Sequence, residues 1–304
     1  MIRRTFIGSL AALPASVSPI FTRAVPAAPR IPPSASGLDA DLFIGYWKDA
    51  TPRRVYGALE VWDLLTRSTG DPLRPTKKGA VLTEINSVSY TALAPRTSTV
   101  PTRLKGVQHI LYCSSGYGAV KSRGKTWEIR QGIGIIAPPE VEFTLSNTGD
   151  KPLTMFLIEE PLRKNHILSR NLVVKNDYDL PVSTNTRRAD FRFWLFSRND
   201  GLSTLTGMDQ IVFMPKTYVE PHVHLPGDEE IWIALDDMMI QIGKQQRVLP
   251  ANSAYKVPAD GRTPHVNVNE TAEERRLLWV RCAPEVQKDE APSGEKKELP
   301  DEVI

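Results

Sequence analysis

Cysteine is nearly absent. Cys113 and Cys282 are the two in 304 residues, and each lies in an apolar, strand-like run, so a disulfide framework is excluded and one buried pair is the most that can form. Amphipathic helical periodicity is also scarce, which argues against a helix bundle. Charge of one sign is lacking too: 38 Lys and Arg against 35 Asp and Glu leave a net charge of +3. Arg3, Arg4 and Arg23 contribute to that small excess, so nothing advertises a nucleic-acid partner. No apolar run is long enough for a confident membrane span. What is present is a 41% hydrophobic chain with 25 prolines and 19 glycines. That balance suits many short strands joined by turns and predicts an all-β fold, with room for two ordinary domains.

The first residues, Met1-Ile-Arg-Arg-Thr-Phe-Ile, followed by a short Gly/Ala/Ser-rich apolar run, resemble a twin-arginine export signal. Residues 1–27 are therefore set aside as a leader. This implies a periplasmic or secreted protein with no stable membrane span after processing. Residues 27–36 are rich in Pro, Ala and Ser and read as a flexible lead-in, with order expected from Leu38. From Pro284 on, charge and proline dominate, and 284–304 reads as a disordered tail.

Between these ends the chain carries an internal repeat. The run from His109 matches that from Glu230, the run from Ile133 that from Ser253, and Asn147 matches Asn269, at offsets of 121, 120 and 122. A displacement this steady indicates one β unit written twice, as 38–160 and 187–283. Tyr56 to Leu65 and Val81 to Leu93 read as opening strands of the first unit. The polar stretch from Pro161 to Asn185 reads as the connection.

The second unit holds the chemistry. In Pro221-His-Val-His-Leu-Pro-Gly-Asp-Glu-Glu-Ile-Trp, His222 and His224 are two apart, so on a strand both imidazoles face one side. After the turn, the run from Glu230 reads as an antiparallel partner strand that brings a carboxylate toward the pair, and His265 adds a fourth group after a Pro/Gly turn. Mixed imidazole and carboxylate ligation suits a divalent transition metal. Alternation puts Trp232 on the Glu230 face and Asn267 and Asn269 on the His265 face, as a pocket wall or as groups that orient a ligand. Glu229 faces the other way and reads as a surface acid.

This order of residues from Pro221 to Asn269 resembles the paired signature motifs of the cupin superfamily. The resemblance implies two tandem jelly-roll (double-stranded β-helix) barrels, a bicupin, with His222, His224, one glutamate and His265 as metal ligands. The acid directly before the hydrophobic strand favours Glu230, whereas the usual spacing from the second histidine favours Glu229; Glu230 is taken. Asp237 stands where the family has a glycine, which alters a turn and not a ligand. The first copy has Pro101-Thr-Arg-Leu104 in place of the histidine pair and Phe143 in place of His265, so it reads as scaffold that supplies an edge or a homodimer surface. His109 alone remains, either packed and hydrogen-bonded or lining a metal-free pocket with Arg103 and Glu142.

The resemblance further implies iron or manganese, with zinc, nickel or copper also found in such proteins. The expected function is a metal-dependent enzyme, a dioxygenase foremost, acting on a small oxygenated or aromatic acid; isomerase, decarboxylase and lyase chemistry are alternatives. So is a non-enzymatic protein that binds or senses a small ligand through the metal. Because the leader turns on its paired arginines, replacing Arg3 and Arg4 by lysine is expected to hold the protein in the cytoplasm. Cell fractionation checks this, and unchanged export of the variant removes the twin-arginine reading.

Overall fold

The computed structural model describes residues 37–184 and 190–282; the leader and the tail inferred from the sequence lie outside the described residues. Among the described residues the elements are strands and short 3-10 turns, and the fold is two jelly-roll barrels in tandem. The first barrel is built on an eight-stranded sheet, in which Ile133–Ala137, Val107–Ser115, Leu153–Pro161, Ser87–Leu93 and Leu59–Arg67 lie side by side, and is closed by the three-stranded sheet of Thr144–Asn147, Tyr117–Ser122 and Lys125–Arg130. The second repeats the plan. Its seven-stranded sheet contains Ser253–Lys256, Glu229–Ala234, Arg275–Cys282, Gly207–Phe213 and Asp190–Ser197 in that order, and its four-stranded sheet Thr217–Tyr218, His265–Asn269, Met238–Ile242 and Gln245–Leu249.

Alternation along the strands sorts the core. On Leu153–Pro161, Met155 and Leu157 join Leu111, Phe143 and Leu145 inside the first barrel. Phe156 and Ile158, pointing the other way, pack with Leu195, Phe196 and Met208 in a continuous core that runs into the second barrel. The large sheets are therefore buried on both faces, which is why their strands read as near-continuous apolar runs. Cys113 and Cys282 are both buried and free, so the one pair that the count allows does not form.

Each repeat also takes an edge strand from outside its own bounds. Ile44–Tyr46 pairs with Ser253–Lys256 in the second sheet, whereas Val173–Asn176, inside the stretch read as a bare connection, pairs with Ile133–Ala137 in the first. Ile44–Tyr46 comes from the first repeat and Val173–Asn176 from the connection, so each large sheet takes its outer strand from outside its own repeat. The strand expected from Val81 to Leu93 is interrupted between Ala80–Leu82 and Ser87–Leu93. The cause is a buried carboxylate: Glu229 accepts hydrogen bonds from the Thr83 amide at 2.5 Å, the Thr83 hydroxyl at 2.7 Å, and the Glu84 and Ile85 amides at 3.1 Å. Those amides leave the strand ladder to hold it. The repeat-related loop does the same for Glu160, whose Oε1 accepts from the amides of Ser203 at 2.9 Å and Leu205 at 2.5 Å while Oε2 accepts from Gln108 Nε2 at 2.5 Å.

Burial pushes the Glu160 carboxyl up to about 7, against the opposing pull of these amide and side-chain donors. A carboxyl raised on folding favours the native state most below its unfolded value of 4.5 and loses that contribution as pH climbs through about 7. The loss is on the order of 3 kcal/mol. Glu160→Gln, which keeps an oxygen for the two amides and cannot ionise, is expected to flatten the pH dependence of thermal stability between about pH 5 and pH 8. Melting curves at the two extremes decide it; an equal slope in wild type and variant refutes the assignment.

Candidate metal centre

His222 and His224 do not sit on a regular strand. Pro221, Pro226 and Gly227, the last at φ 100°, keep the segment irregular, and it makes an isolated β-bridge, His222 opposite His265, with the His265 amide donating to the His222 carbonyl at 3.0 Å. The partner of the histidine pair is therefore the His265 strand. Glu229–Ala234, expected in that role, pairs instead with Ser253–Lys256 and Arg275–Cys282. The ligand set spans the barrel: His265 comes from the small sheet and Glu230 from the large one. A tight turn aims His265, with Asp260 accepting from the Arg262 and Thr263 amides at 2.9 and 2.7 Å. Gly261, at φ 70°, gives its amide to the His224 carbonyl at 2.8 Å, so the same turn fixes the second histidine.

One ligand atom from each of His222, His224, Glu230 and His265 lies within 4.8 Å of the others. His265 Nε2 is 3.1 Å from His222 Nε2 and 3.4 Å from Glu230 Oε1; His224 Nε2 is 3.4 Å from Glu230 Oε2. The tautomers follow from what lies behind each ring. His222 Nδ1 meets the Glu220 carbonyl at 2.8 Å, a pure acceptor, and His224 Nδ1 faces the Asp228 carboxylate at 3.5 Å. His265 Nδ1 meets the Tyr255 hydroxyl at 3.2 Å, whose own proton goes to Asn267 Oδ1 at 2.7 Å. Each Nδ1 therefore carries the proton, and each Nε2 turns a lone pair inward. Three lone pairs and a carboxylate converge with no donor among them, and His224 Nε2 is buried without a hydrogen-bond partner. That arrangement is repulsive until a cation is shared, so the residues fit a divalent transition ion.

Glu230 is oriented from behind by the Trp232 indole, which donates to Oε1 at 2.7 Å and stacks on Trp279 with ring centroids 5.7 Å apart. Burial works to raise the Glu230 carboxyl, but positive charge on His265 and His224, carried only when those rings are protonated, and the hydrogen bonds from Trp232 and Trp279 outweigh it and hold the group below the usual carboxylate range. Tyr255, fully buried, is pushed well up by burial and by the Glu230 charge, so it stays a protonated donor.

The pocket residues expected from alternation divide. Trp232 and Asn267 stand behind ligands, as described. Asn269 does not face the cavity: its Nδ2 donates to the carbonyls of Phe213, Met214 and Glu273 at 3.1, 3.0 and 2.7 Å. Asn147 holds the matching corner of the first barrel through Leu93 and Lys151 at 2.8 and 2.9 Å. Glu229, read as a surface acid, is 1% exposed and lies between the barrels. Arg103 and Glu142 pair at 3.3 Å on the surface, while His109 is engaged by Tyr56 and Glu159, so the three do not form a shared pocket. Asp228 and Tyr255 were not singled out by sequence reasoning. Asp228 is legible as a carboxylate four residues after His224; Tyr255 becomes visible only once its strand is paired.

The fold and this site define a bicupin-type double jelly roll with one His/Glu cluster able to hold a metal. Among solved structures the chain is similar to a glyoxylate-induced protein from Pseudomonas aeruginosa at 14% identity, TM-score 0.61, covering 76% of this chain and 84% of that one. It is similar also to Ylba from E. coli at 13%, TM-score 0.60, covering 83% and 95%, and to Bacillus subtilis oxalate decarboxylase, a protein with Mn(II) centres, at 9%, TM-score 0.56, covering 79% and 77%. No protein-family model and no curated protein matches the sequence. At these identities the likeness concerns the fold.

The adjacent glutamates give a sharp contrast. Glu230→Gln is expected to weaken metal binding at least tenfold with little change in the melting temperature of the metal-free protein. Glu229→Gln removes the charge that three amides and a hydroxyl hold, costing roughly 2–4 kcal/mol, with metal content kept. Metal analysis beside melting curves reads both, and the reverse pattern overturns the ligand choice.

Proposed function

We propose that the second barrel binds one divalent transition metal through His222, His224, Glu230 and His265, and that the protein is an exported metal-dependent enzyme acting on a small oxygenated or aromatic acid. The observation that carries this reading is the clustering of one ligand atom from each of His222, His224, Glu230 and His265 within 4.8 Å of one another. Structural metal sites in proteins tend to be closed by their ligands, and a set that leaves positions open favours catalysis. When bound, the ion supplies Lewis-acid or redox chemistry at the positions the four side chains leave free.

The chain's own residues hold the site ready. Glu220, Asp228 and Tyr255 fix the three imidazole tautomers, and Trp232 keeps the carboxylate turned inward. Glu230 brings a single negative charge to the set, which leaves room for an anionic substrate beside a divalent ion. Iron or manganese is proposed, with zinc, nickel and copper as further occupants of the same donor set; the fold-level likeness to a decarboxylase with Mn(II) centres supports manganese. Oxygen-dependent cleavage is the first reaction to seek, and decarboxylation, isomerisation and lyase chemistry follow. Export by the twin-arginine route, which carries folded proteins, agrees with a metal loaded before translocation.

Elemental analysis of the purified protein is expected to give one equivalent per chain; two, or one that persists after His222→Ala with His224→Ala, overturns the site. Iron- or manganese-loaded protein is expected to consume dioxygen or release carbon dioxide with a member of a small-acid panel, and His265→Ala to abolish turnover. Tight binding of an acid that is returned unaltered, with or without oxygen, replaces the enzyme with a metal-dependent binding protein.

A further inference from the structure

The first barrel has lost its histidine pair, yet the end of it that corresponds to the metal centre is not simply apolar. His109, the repeat counterpart of Glu230, is 6% exposed. Its Nε2 faces Glu159 Oε2 at 3.2 Å across a registered strand pair, and its Nδ1 is hydrogen-bonded to the Tyr56 hydroxyl. Glu159 in turn accepts from Asn86 Nδ2 at 2.9 Å. The Tyr56 ring packs edge-on against Phe143, the counterpart of His265, with centroids 5.5 Å apart. Three polar groups are thus lined up, carboxylate to imidazole to phenol, with the phenol half-buried at the outer end.

The direction of the hydrogen bonds can be derived. The hydrogen bond from His109 holds the Glu159 carboxyl below its usual range, with Asn86 and the Arg53 charge helping against burial. Glu159 is therefore an anion and an acceptor, His109 Nε2 bears the proton, and Nδ1 is left to accept the phenolic proton of Tyr56. This is the ordering of a nucleophile, base and orienting acid. Burial and the Glu159 charge push the Tyr56 phenol up, so a free phenolate is not available and the proton must leave through His109 during reaction. The backbone also marks the position: Tyr56, a bulky aromatic, is held at φ 51°, in the left-handed region that such residues avoid unless the surrounding structure imposes it.

We propose that the first barrel carries a metal-free reactive site in which Tyr56, activated by His109 and Glu159, is the nucleophile toward an activated acyl or sulfonyl centre. The Tyr56 oxygen forms a bond to the electrophilic carbon or sulfur. The bond from that centre to its leaving group breaks with the electron pair on the leaving group, and the phenolic proton passes to His109 Nδ1, where Glu159 stabilises the imidazolium. No oxidant, reductant or metal is consumed, so the site is independent of the second barrel's chemistry.

The probe is benzenesulfonyl fluoride, which loses fluoride as the oxygen–sulfur bond forms, applied to the full chain with peptide mass mapping. Tyr117, Tyr178 and Tyr218, at 62%, 63% and 60% exposure, serve as internal controls. Tyr56 is expected to be sulfonylated at least tenfold faster than any of them, equally in chelator-treated and metal-loaded protein. His109→Phe is expected to bring labelling down to the level of the controls, and Glu159→Gln to slow it at least threefold. Labelling of Tyr56 no faster than the exposed tyrosines, or unchanged in Glu159→Gln, overturns the proposal. Should His109→Phe fail to fold, as its melting curve reports, the Glu159→Gln rate decides alone.

Discussion

Two adjacent glutamates on one strand set the terms for the rest of the molecule. A β-strand sends neighbouring side chains to opposite faces, so Glu230 enters the second barrel while Glu229 enters the seam between the barrels. There, three amides and a hydroxyl from Thr83, Glu84 and Ile85 hold the Glu229 carboxylate, with Lys256 Nζ 3.4 Å away and also donating to the Val81 carbonyl at 2.9 Å. A buried carboxylate is tolerated only when its lone pairs are this fully engaged. The clasp ties the strand to the seam between the barrels. The strand that carries the candidate ligand is thus anchored by a loop from the other repeat.

The same economy of donors and acceptors organises the metal centre. Every imidazole is tied at Nδ1 to an acceptor, and the carboxylate is tied at one oxygen to an indole. Freedom is removed from the ligands before an ion arrives, which lowers the ordering cost of binding. The layer behind the ligands comes from widely spaced parts of the chain: Glu220 and Asp228 flank the histidine loop, while Tyr255 and Trp279 lie on the two strands that pair with Glu229–Ala234.

Much of this could be read from the residues. The turn-rich composition gave the all-β class, the constant offset between His109 and Glu230, Ile133 and Ser253, and Asn147 and Asn269 revealed the duplication, and the acid's place directly before the hydrophobic strand chose Glu230 over Glu229 as the candidate ligand. What could not be read depends on pairing. The histidine segment was placed beside the Glu230 strand because the two are consecutive, yet in a jelly roll consecutive segments belong to different sheets, and His222 meets His265. Glu229 looked exposed because alternation describes a single sheet with one wet face; here both faces are covered. Asn269 shared a face with His265 by count but reaches over the strand end to the carbonyls of a corner. Local periodicity reports direction within a strand, and carries no information about what stands opposite.

The edge strands taken from outside each repeat bear on why a barrel without its histidines persists in the chain. Ile44–Tyr46 completes the second sheet and Val173–Asn176 completes the first, so a gene shortened to either half would leave a sheet with an open hydrogen-bonding edge, a template for aggregation. Selection acting on the half with the His/Glu cluster is then enough to preserve the other half's framework. A repeat without the cluster can in this way be kept for its place in the fold alone.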